Sequence, residues 1–279
     1  MSAVRELLGA ATDRLVAAGV ASARFDAEEL LAFVLGVRRL ELRFVDRVTA
    51  GQQETYESLV ARRAERVPLQ HLTGTAPFRR LELAVGPGVF VPRPETESVA
   101  EAAILFARRR TNPVVVDLCT GSGAIAAAIA SEVPDARVFA CEVDPGAHAW
   151  AVKNLSGTHV TLELSDAKDA LTQLDGTVDV VVSNPPYIPM AAYESVQREV
   201  RDHDPALALW SGEDGLDAIR VVERTAARLL RPGGHVVVEH ADVQGESAPA
   251  VFAATGEWTL VRDNPDLAGR PRFVTAVRA

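Results

Sequence analysis

The sequence predicts an α/β fold, a mostly parallel sheet of seven strands with helices on both faces, preceded by a helical bundle domain and joined to it by a β-hairpin. Three observations predict it. Residues 1–75 show only helical spacing, residues 76–92 switch to a period of two, and from about residue 95 helical and extended patterns alternate to the end. The expected division is therefore a helical substrate-recognition domain (1–75), a hairpin linker (76–92) and a larger α/β domain (93–279).

In the first domain, Val4, Leu7, Leu8, Ala11 and Leu15 fall on one helical stripe. Asp26 and Glu29 have capping-box spacing and are expected to open a helix over 27–35, with Gly36 as its C-terminal glycine. A third helix is expected over 52–66, ending before Pro68. In the linker, Leu81, Leu83 and Val85 alternate, Gly86-Pro87-Gly88 turns, and Val89 to Val91 returns. A helix over 95–110 begins with Glu95 and Glu97 and ends in Arg108-Arg109-Arg110, charges that complement its dipole. Strands are expected at 114–118, 137–141, 160–163, 178–183, 235–239, 259–261 and 273–277, with a helix over 167–174. The last two lack an intervening helix, so the sheet should end antiparallel.

Composition narrows the functional classes. Hydrophobic residues make up 48% and charged residues 24%, as in an ordinary globular protein. No apolar run nears the ~18 residues of a membrane span, and the start Met1-Ser2-Ala3-Val4-Arg5-Glu6 lacks a signal-peptide layout, so a cytoplasmic location without membrane contact is expected. Cys119 and Cys141 both fall at strand ends, which argues against a disulfide framework. A net charge of −9 weighs against extended nucleic-acid binding, which rests on Lys and Arg contacts to phosphate.

Two motifs carry chemistry. The strand Val114-Val115-Val116-Asp117-Leu118 runs into Cys119-Thr120-Gly121-Ser122-Gly123 and then an alanine-rich helix, placing a glycine-rich loop where ligands bind in open α/β sheets. Glu142, at the end of the next strand, is positioned to accept hydrogen bonds from both ribose hydroxyls of an adenosine. The same loop fits the dinucleotide fingerprint, so on this motif alone NAD and S-adenosylmethionine are equally served. Asp117 and the separate helical domain favour S-adenosylmethionine. Asp166, after the third strand, is placed to meet an adenine amino group, with Ala167 beside it. No dehydrogenase constellation appears, no metal is expected, and the six histidines are scattered.

The second motif, Asn184-Pro185-Pro186-Tyr187, follows the fourth strand. Two prolines remove backbone donors and stiffen the carbonyls between them. The Asn184 amide oxygen and the Pro185 carbonyl can each accept one hydrogen of a planar NH2 group, turning its lone pair toward a methyl sulfonium, while the Tyr187 ring stacks on the flat substrate. Catalysis then needs positioning and fixed dipoles and no strong general base.

These residues resemble the HemK/PrmC peptide chain release factor glutamine methyltransferases, a subgroup of the class I, Rossmann-like methyltransferases. The resemblance covers nearly the whole chain. It includes residues 24–31, Pro68-Leu69-Gln70-His71-Leu72-Thr73-Gly74, the distinctive string Val91-Pro92-Arg93-Pro94-Glu95-Thr96-Glu97, residues 211–217, Arg231-Pro232-Gly233-Gly234 and residues 266–270. It implies methylation at N5 of the glutamine in the Gly-Gly-Gln motif of class I release factors, with S-adenosylmethionine bound by Cys119 to Gly123 and Glu142. Asn184 would touch both cofactor and substrate, Asn184 to Tyr187 would cradle the glutamine, and the helical domain would dock the release factor. Two positions depart from the family pattern: Cys119, often glycine, and Ala167, often aromatic. The alternatives are an N6-adenine methyltransferase acting on DNA or RNA, a glutamine methyltransferase acting on a ribosomal protein, and a non-catalytic adenosine-binding module. The acidic balance and the absence of a basic, aromatic-studded recognition domain weigh against the first.

Overall fold

The computed structural model describes residues 2–279, which form two compact units. One runs to Thr75 and takes in Gln197–His203; the other holds Ala76–Val196 and Asp204–Ala279.

In the first unit, a two-residue ladder (β1, Ser2–Ala3; β2, Arg47–Val48) accompanies α1 (Val4–Ala17), α2 (Ala23–Leu35), α3 (Ala50–Ala64) and the short α4 (Leu69–Thr73). The stripe read on α1 is the buried face: Val4, Leu8, Ala11 and Leu15 join Leu30, Leu31 and Tyr56 in one apolar cluster, with Leu7 half-buried at its edge. Tyr56 reconciles its hydroxyl with that burial by donating to the Ala27 carbonyl at 3.1 Å.

The capping-box reading of Asp26 is corrected. The helix begins four residues earlier than expected, at Ala23, and Asp26 lies inside it, 2% exposed, bonded to Arg63 Nε at 2.7 Å. A buried ion pair has taken the residue that local spacing assigned to a cap. Gly36 does end the helix, at φ 66°, in the left-handed conformation glycine favours. The reciprocal capping box belongs to α3, where Thr49 Oγ1 accepts from Gln52 N and the Gln52 side chain accepts from Thr49 N at 2.9 Å.

The second unit opens with a two-stranded ribbon, β3 (Thr75–Phe78) and β4 (Leu81–Ala84). This moves the expected hairpin: β4 pairs with the segment before it, and Val89 to Val91 is not a strand. Those valines instead bury their side chains with Val85, Ala76 and Ala147. The chain then alternates through α5 (Thr96–Ala107), β5 (Val114–Leu118), α6 (Ala124–Glu132), β6 (Arg137–Glu142), α7 (Pro145–Leu155), β7 (Thr161–Leu164) and β8 (Val178–Ser183). α8 (Arg198–His203) belongs to the first unit, and α9 (Asp217–Leu229), β9 (Leu230–Glu239), α10 (Ser247–Ala253), β10 (Trp258–Pro265) and β11 (Pro271–Arg278) complete the second. The helix expected over 167–174 is replaced by turns and a single 3-10 turn at Thr172–Leu174.

The sheet has seven strands in the order β10-β11-β9-β8-β5-β6-β7. The five strands from β9 to β7 run parallel, while β11 pairs antiparallel with both β9 and β10, the antiparallel end that two strands without a crossover helix require. Valine runs make both faces apolar: Val115, Val180, Val182 and Val237 meet α5, α6 and α7, while Val116, Val181, Val236 and Val238 meet α9 and α10. The strand order reverses beside β5, so the carboxyl ends of β5, β6 and β8 border the switch point where such sheets bind ligands. Among the described residues, no helix is long and apolar enough to cross a membrane.

Candidate active site

Strand register brings the two motifs together. Leu118 pairs with Ser183 on one side and Cys141 on the other, so the loop after β5, Glu142 on β6 and Asn184 after β8 share one edge of the sheet. Asp166 follows β7 one strand further out.

The loop at Cys119 to Gly123 is held almost wholly by its own backbone and two carboxylates. Cys119, Gly121 and Gly123 all have positive φ, 59°, 57° and 83°. Gly123 has a second reason to be glycine, since a Cβ there would sit 3.1 Å from Leu155. A Cβ on Gly121 would meet no atom within 4 Å, so the loop presents bare backbone to open space. Asp117 is fully buried; its Oδ2 accepts from Thr120 Oγ1 at 2.6 Å and from Ala126 N at 3.1 Å, tying the loop to the first turn of α6. Burial pushes its carboxyl up to about 7, against the pull of those two donors. Glu142 accepts from Gly121 N at 2.8 Å through one oxygen and from Val143 N and Asp144 N at 2.9 Å through the other. Thr120 and Ser122 are buried, and burial raises the Cys119 thiol well above its ordinary value. Both cysteines are free.

Asp166 and Ala167 behave differently from the loop. Asp166 is half-buried, accepts from Lys168 N at 3.1 Å and pairs with Lys168 Nζ at 3.2 Å. Ala167 packs its methyl into the core with Leu171 and Leu174.

The Asn184-Pro185-Pro186-Tyr187 segment is held by side chains distant in sequence. Asn184 Nδ2 donates to Thr96 Oγ1 at 3.2 Å, and Tyr187 Oη donates to Glu239 Oε1 at 3.1 Å. The Tyr187 carbonyl accepts from Gln244 Nε2 at 3.1 Å, and Gly215 packs so tightly below it that a Cβ would fall 2.4 Å from that oxygen. Burial pushes the Tyr187 phenol far above its usual range. Upstream, Arg93 Nη2 donates to the buried Asp204 at 2.8 Å, and its guanidinium lies 5.0 Å from the Phe90 ring centre.

Sequence reasoning missed Thr96, Glu239, Gln244 and Gly215 as supports, and also Asn154, whose amide bridges Ala84 to the Ser122 carbonyl at 2.9 Å. Thr96 and Gly215 lie in strings quoted for the family resemblance; Glu239, Gln244 and Asn154 carry no local signal.

The sheet order, the glycine loop with its carboxylates and the adjacent amide acceptor define a class I methyltransferase. Family models agree in both parts: residues 6–74 match the PrmC N-terminal domain and residues 83–207 the methyltransferase small domain. The chain is 58% identical over 271 residues to the release factor glutamine methyltransferase of Streptomyces coelicolor, covering 96% of each. It is 43% identical to the 4-amino-L-phenylalanine/4-methylamino-L-phenylalanine methyltransferase of Streptomyces pristinaespiralis, covering 93% of this chain and 90% of that one. Among solved structures, the T. thermophilus 16S rRNA N2 G1207 methyltransferase in complex with AdoMet and guanosine shares the fold, with TM-score 0.52 and 20% identity over 74% of this chain and 50% of that one. The chain belongs to the release factor glutamine methyltransferase family.

Proposed function

We propose that this enzyme transfers a methyl group from S-adenosylmethionine to the side-chain amide nitrogen, N5, of the glutamine in the Gly-Gly-Gln motif of class I peptide chain release factors, tuning translation termination in the cytoplasm. The observation that carries the reading is the Asn184 amide: with Nδ2 committed to Thr96, its Oδ1 is the end left to accept from an NH2 group, beside the glycine loop.

The loop fits an adenosylated cofactor. Gly121 exposes backbone with no side chain to obstruct approach, and Asp117 Oδ1 is buried without a hydrogen-bond partner. Cys119, Thr120, Gly121, Ser122, Gly123 and Glu142 would hold S-adenosylmethionine, with Asp117 fixing the loop and Asp166 and Ala167 at the adenine end. When bound, that cofactor supplies an electrophilic methyl group on a sulfonium.

The chain's own residues then position the nitrogen. Asn184 Oδ1 and the Pro185 carbonyl accept the two amide hydrogens, Pro185 and Pro186 keep competing N–H groups away, and Tyr187 packs on the flat amide. Holding both hydrogens out of the amide plane exposes the lone pair. The surplus proton leaves after the nitrogen becomes cationic, so fixed dipoles suffice. The helical unit docks the release factor, with neither membrane nor nucleic acid as partner.

The test incubates the protein and labelled S-adenosylmethionine with a release factor, its Gln→Ala variant, duplex DNA or 4-amino-L-phenylalanine, the last because a relative is named for it. Label is expected on the unaltered release factor alone. Label on DNA, on the amino acid, or equally on the Gln→Ala variant overturns the proposal.

A further inference from the structure

We infer that Gln244 is a positioning residue for methyl transfer: its side-chain amide gathers three converging backbone carbonyls and so fixes the peptide through which the chain leaves Tyr187. This rests on the reading that the Tyr187 ring packs on the flat substrate amide.

Gln244 closes the 3-10 turn Asp242–Gln244 that follows β9, and it is 4% exposed. Its backbone N donates to the Ala241 carbonyl at 2.8 Å. On either side the turn is pinned to β11. His240 N donates to the Arg272 carbonyl at 2.9 Å, and a Cβ on Gly245 would fall 2.9 Å from Pro271.

The partners of the side-chain amide set its polarity. A backbone N–H can only donate and a backbone carbonyl can only accept. Ala241 N donates to Gln244 Oε1 at 2.9 Å. The other end, Nε2, faces three carbonyl oxygens, Tyr187 at 3.1 Å, Gly215 at 3.3 Å and Asp214 at 3.4 Å. A flipped amide would set N–H against N–H at one end and oxygen against three oxygens at the other. Only one orientation is satisfied. Three carbonyl dipoles converging on one point repel each other, and the two Nε2 hydrogens offset that repulsion.

The same peptide is held on its other side, because Ile188 N donates to the Leu209 carbonyl at 2.9 Å. The plane between Tyr187 and Ile188 is therefore fixed at both its oxygen and its hydrogen. The far end of the side chain is fixed too, by the bond from Tyr187 Oη to Glu239 Oε1 at 3.1 Å. A ring whose backbone and hydroxyl are both tethered has one orientation to offer a flat amide. The 211–217 string contributes Gly215, at φ 77°, where a Cβ would fall 2.4 Å from the Tyr187 carbonyl and 2.8 Å from Gln244 Nε2. Glycine there lets the loop close on the amide.

The test compares Gln244→Met, which keeps length and removes both polar ends, with Gln244→Glu, which keeps shape and the acceptor for Ala241 N. Gln244→Met should lower kcat by about 10- to 100-fold, the scale of a misplaced group at a reacting centre, with the Kd for S-adenosylmethionine within about twofold. A Gln244→Met enzyme within about twofold of wild type in kcat, or one that loses kcat and cofactor affinity in proportion, overturns the proposal. Gln244→Glu makes the positioning depend on pH. Protonated, the introduced carboxyl donates to the Tyr187 carbonyl; ionised, it turns a charged oxygen on three carbonyls. Its kcat relative to wild type should fall by at least about fivefold as pH rises from about 6 to about 8.5, and a flat ratio overturns the proposal. A further measurement needs neither turnover nor a variant fold. The chain has six glutamines, Gln52, Gln53, Gln70, Gln173, Gln197 and Gln244, so 15N-glutamine labelling resolves the Gln244 side-chain amide. Its protons should exchange slowly with solvent in the wild-type protein, and exchange as fast as that of an exposed glutamine overturns the arrangement. The kcat ratios are read on whichever substrate takes the label, so a wild-type protein that leaves release factor unlabelled places the failure in the substrate assignment instead.

Discussion

The glycine loop and the Asn184 to Tyr187 segment lie on neighbouring strands yet are made rigid by opposite means. The loop is held mostly from within: Glu142 accepts three backbone N–H groups and Asp117 binds Thr120 and Ala126, each bonded pair no more than 21 residues apart, with Asn154 alone reaching the Ser122 carbonyl from 32 residues on. The tetrapeptide is held from outside, by Thr96, 88 residues before Asn184, and by Glu239 and Gln244, 52 and 57 residues beyond Tyr187. A loop that must present backbone can be built from local turns and carboxylates. The tetrapeptide depends on a buried scaffold, because two prolines leave it few donors of its own.

If this division is right, substitutions in the two regions separate chemistry from cofactor affinity. The largest effect is expected from Asn184→Ala, which should lower kcat by about 100- to 1,000-fold, the cost of losing one positioned polar group at a reacting centre. Calorimetry should find S-adenosylmethionine affinity changed less than about threefold, and a proportionate loss of both would make Asn184 chiefly a cofactor ligand. Next come two glycines. Gly215→Ala drives a methyl to 2.4 Å from the Tyr187 carbonyl and should cost about tenfold in kcat while sparing cofactor binding. Gly123→Ala, at φ 83° and 3.1 Å from Leu155, should weaken cofactor binding about tenfold and cost about 1–2 kcal/mol of stability. If both variants lose both properties together, the two regions are one mechanical unit and the comparison fails.

The smallest effect is on stability and depends on pH. The folded protein keeps the Glu239 proton up to about 7, whereas an unfolded glutamate releases it near 4.5. Stability therefore falls as pH rises through that window and the full cost is present above it. Glu239→Gln should match wild type in unfolding free energy at pH 4.5 and exceed it at pH 8, by on the order of 1–3 kcal/mol, as read from denaturant unfolding at the two pH values. An advantage that is constant with pH would show that the carboxyl does not titrate there.

Legibility in the sequence follows the same division. Strands β5, β8 and β9 were readable because doubly covered parallel strands are valine runs, and the glycine loop because its carboxylates sit at fixed local offsets. Glu239 was not, since its partner Tyr187 comes from the segment after β8, and only the register of β8 against β9 brings the two together. Asp26 failed for a similar reason: the local spacing was right for a cap, but Arg63, 37 residues later, claims the carboxylate in the interior. The hairpin was misplaced because Gly86-Pro87-Gly88 offers a turn between Leu81 to Val85 and Val89 to Val91, whereas β4 pairs with Thr75–Phe78, whose Pro77 a two-stranded ribbon tolerates at an edge. The expected helix over 167–174 failed because Leu171 adopts φ 55°, which no α-helix accommodates.

The excursion of Gln197–His203 into the first unit bears on how this protein can be divided. Glu199 accepts from Arg63 Nη2 at 3.0 Å and from Arg66 Nη2 at 2.6 Å, so one carboxylate supplied from beyond Tyr187 pairs with two mostly buried guanidinium groups. A fragment cut at Thr75 would contain every helix of the PrmC N-terminal match yet leave Arg66 with only carbonyl partners and Arg63 short of one anion. Uncompensated buried charge is costly to a small fold. The first unit therefore does not coincide with any continuous stretch of the sequence: excising it intact means grafting the seven residues 197–203 back onto its C-terminus.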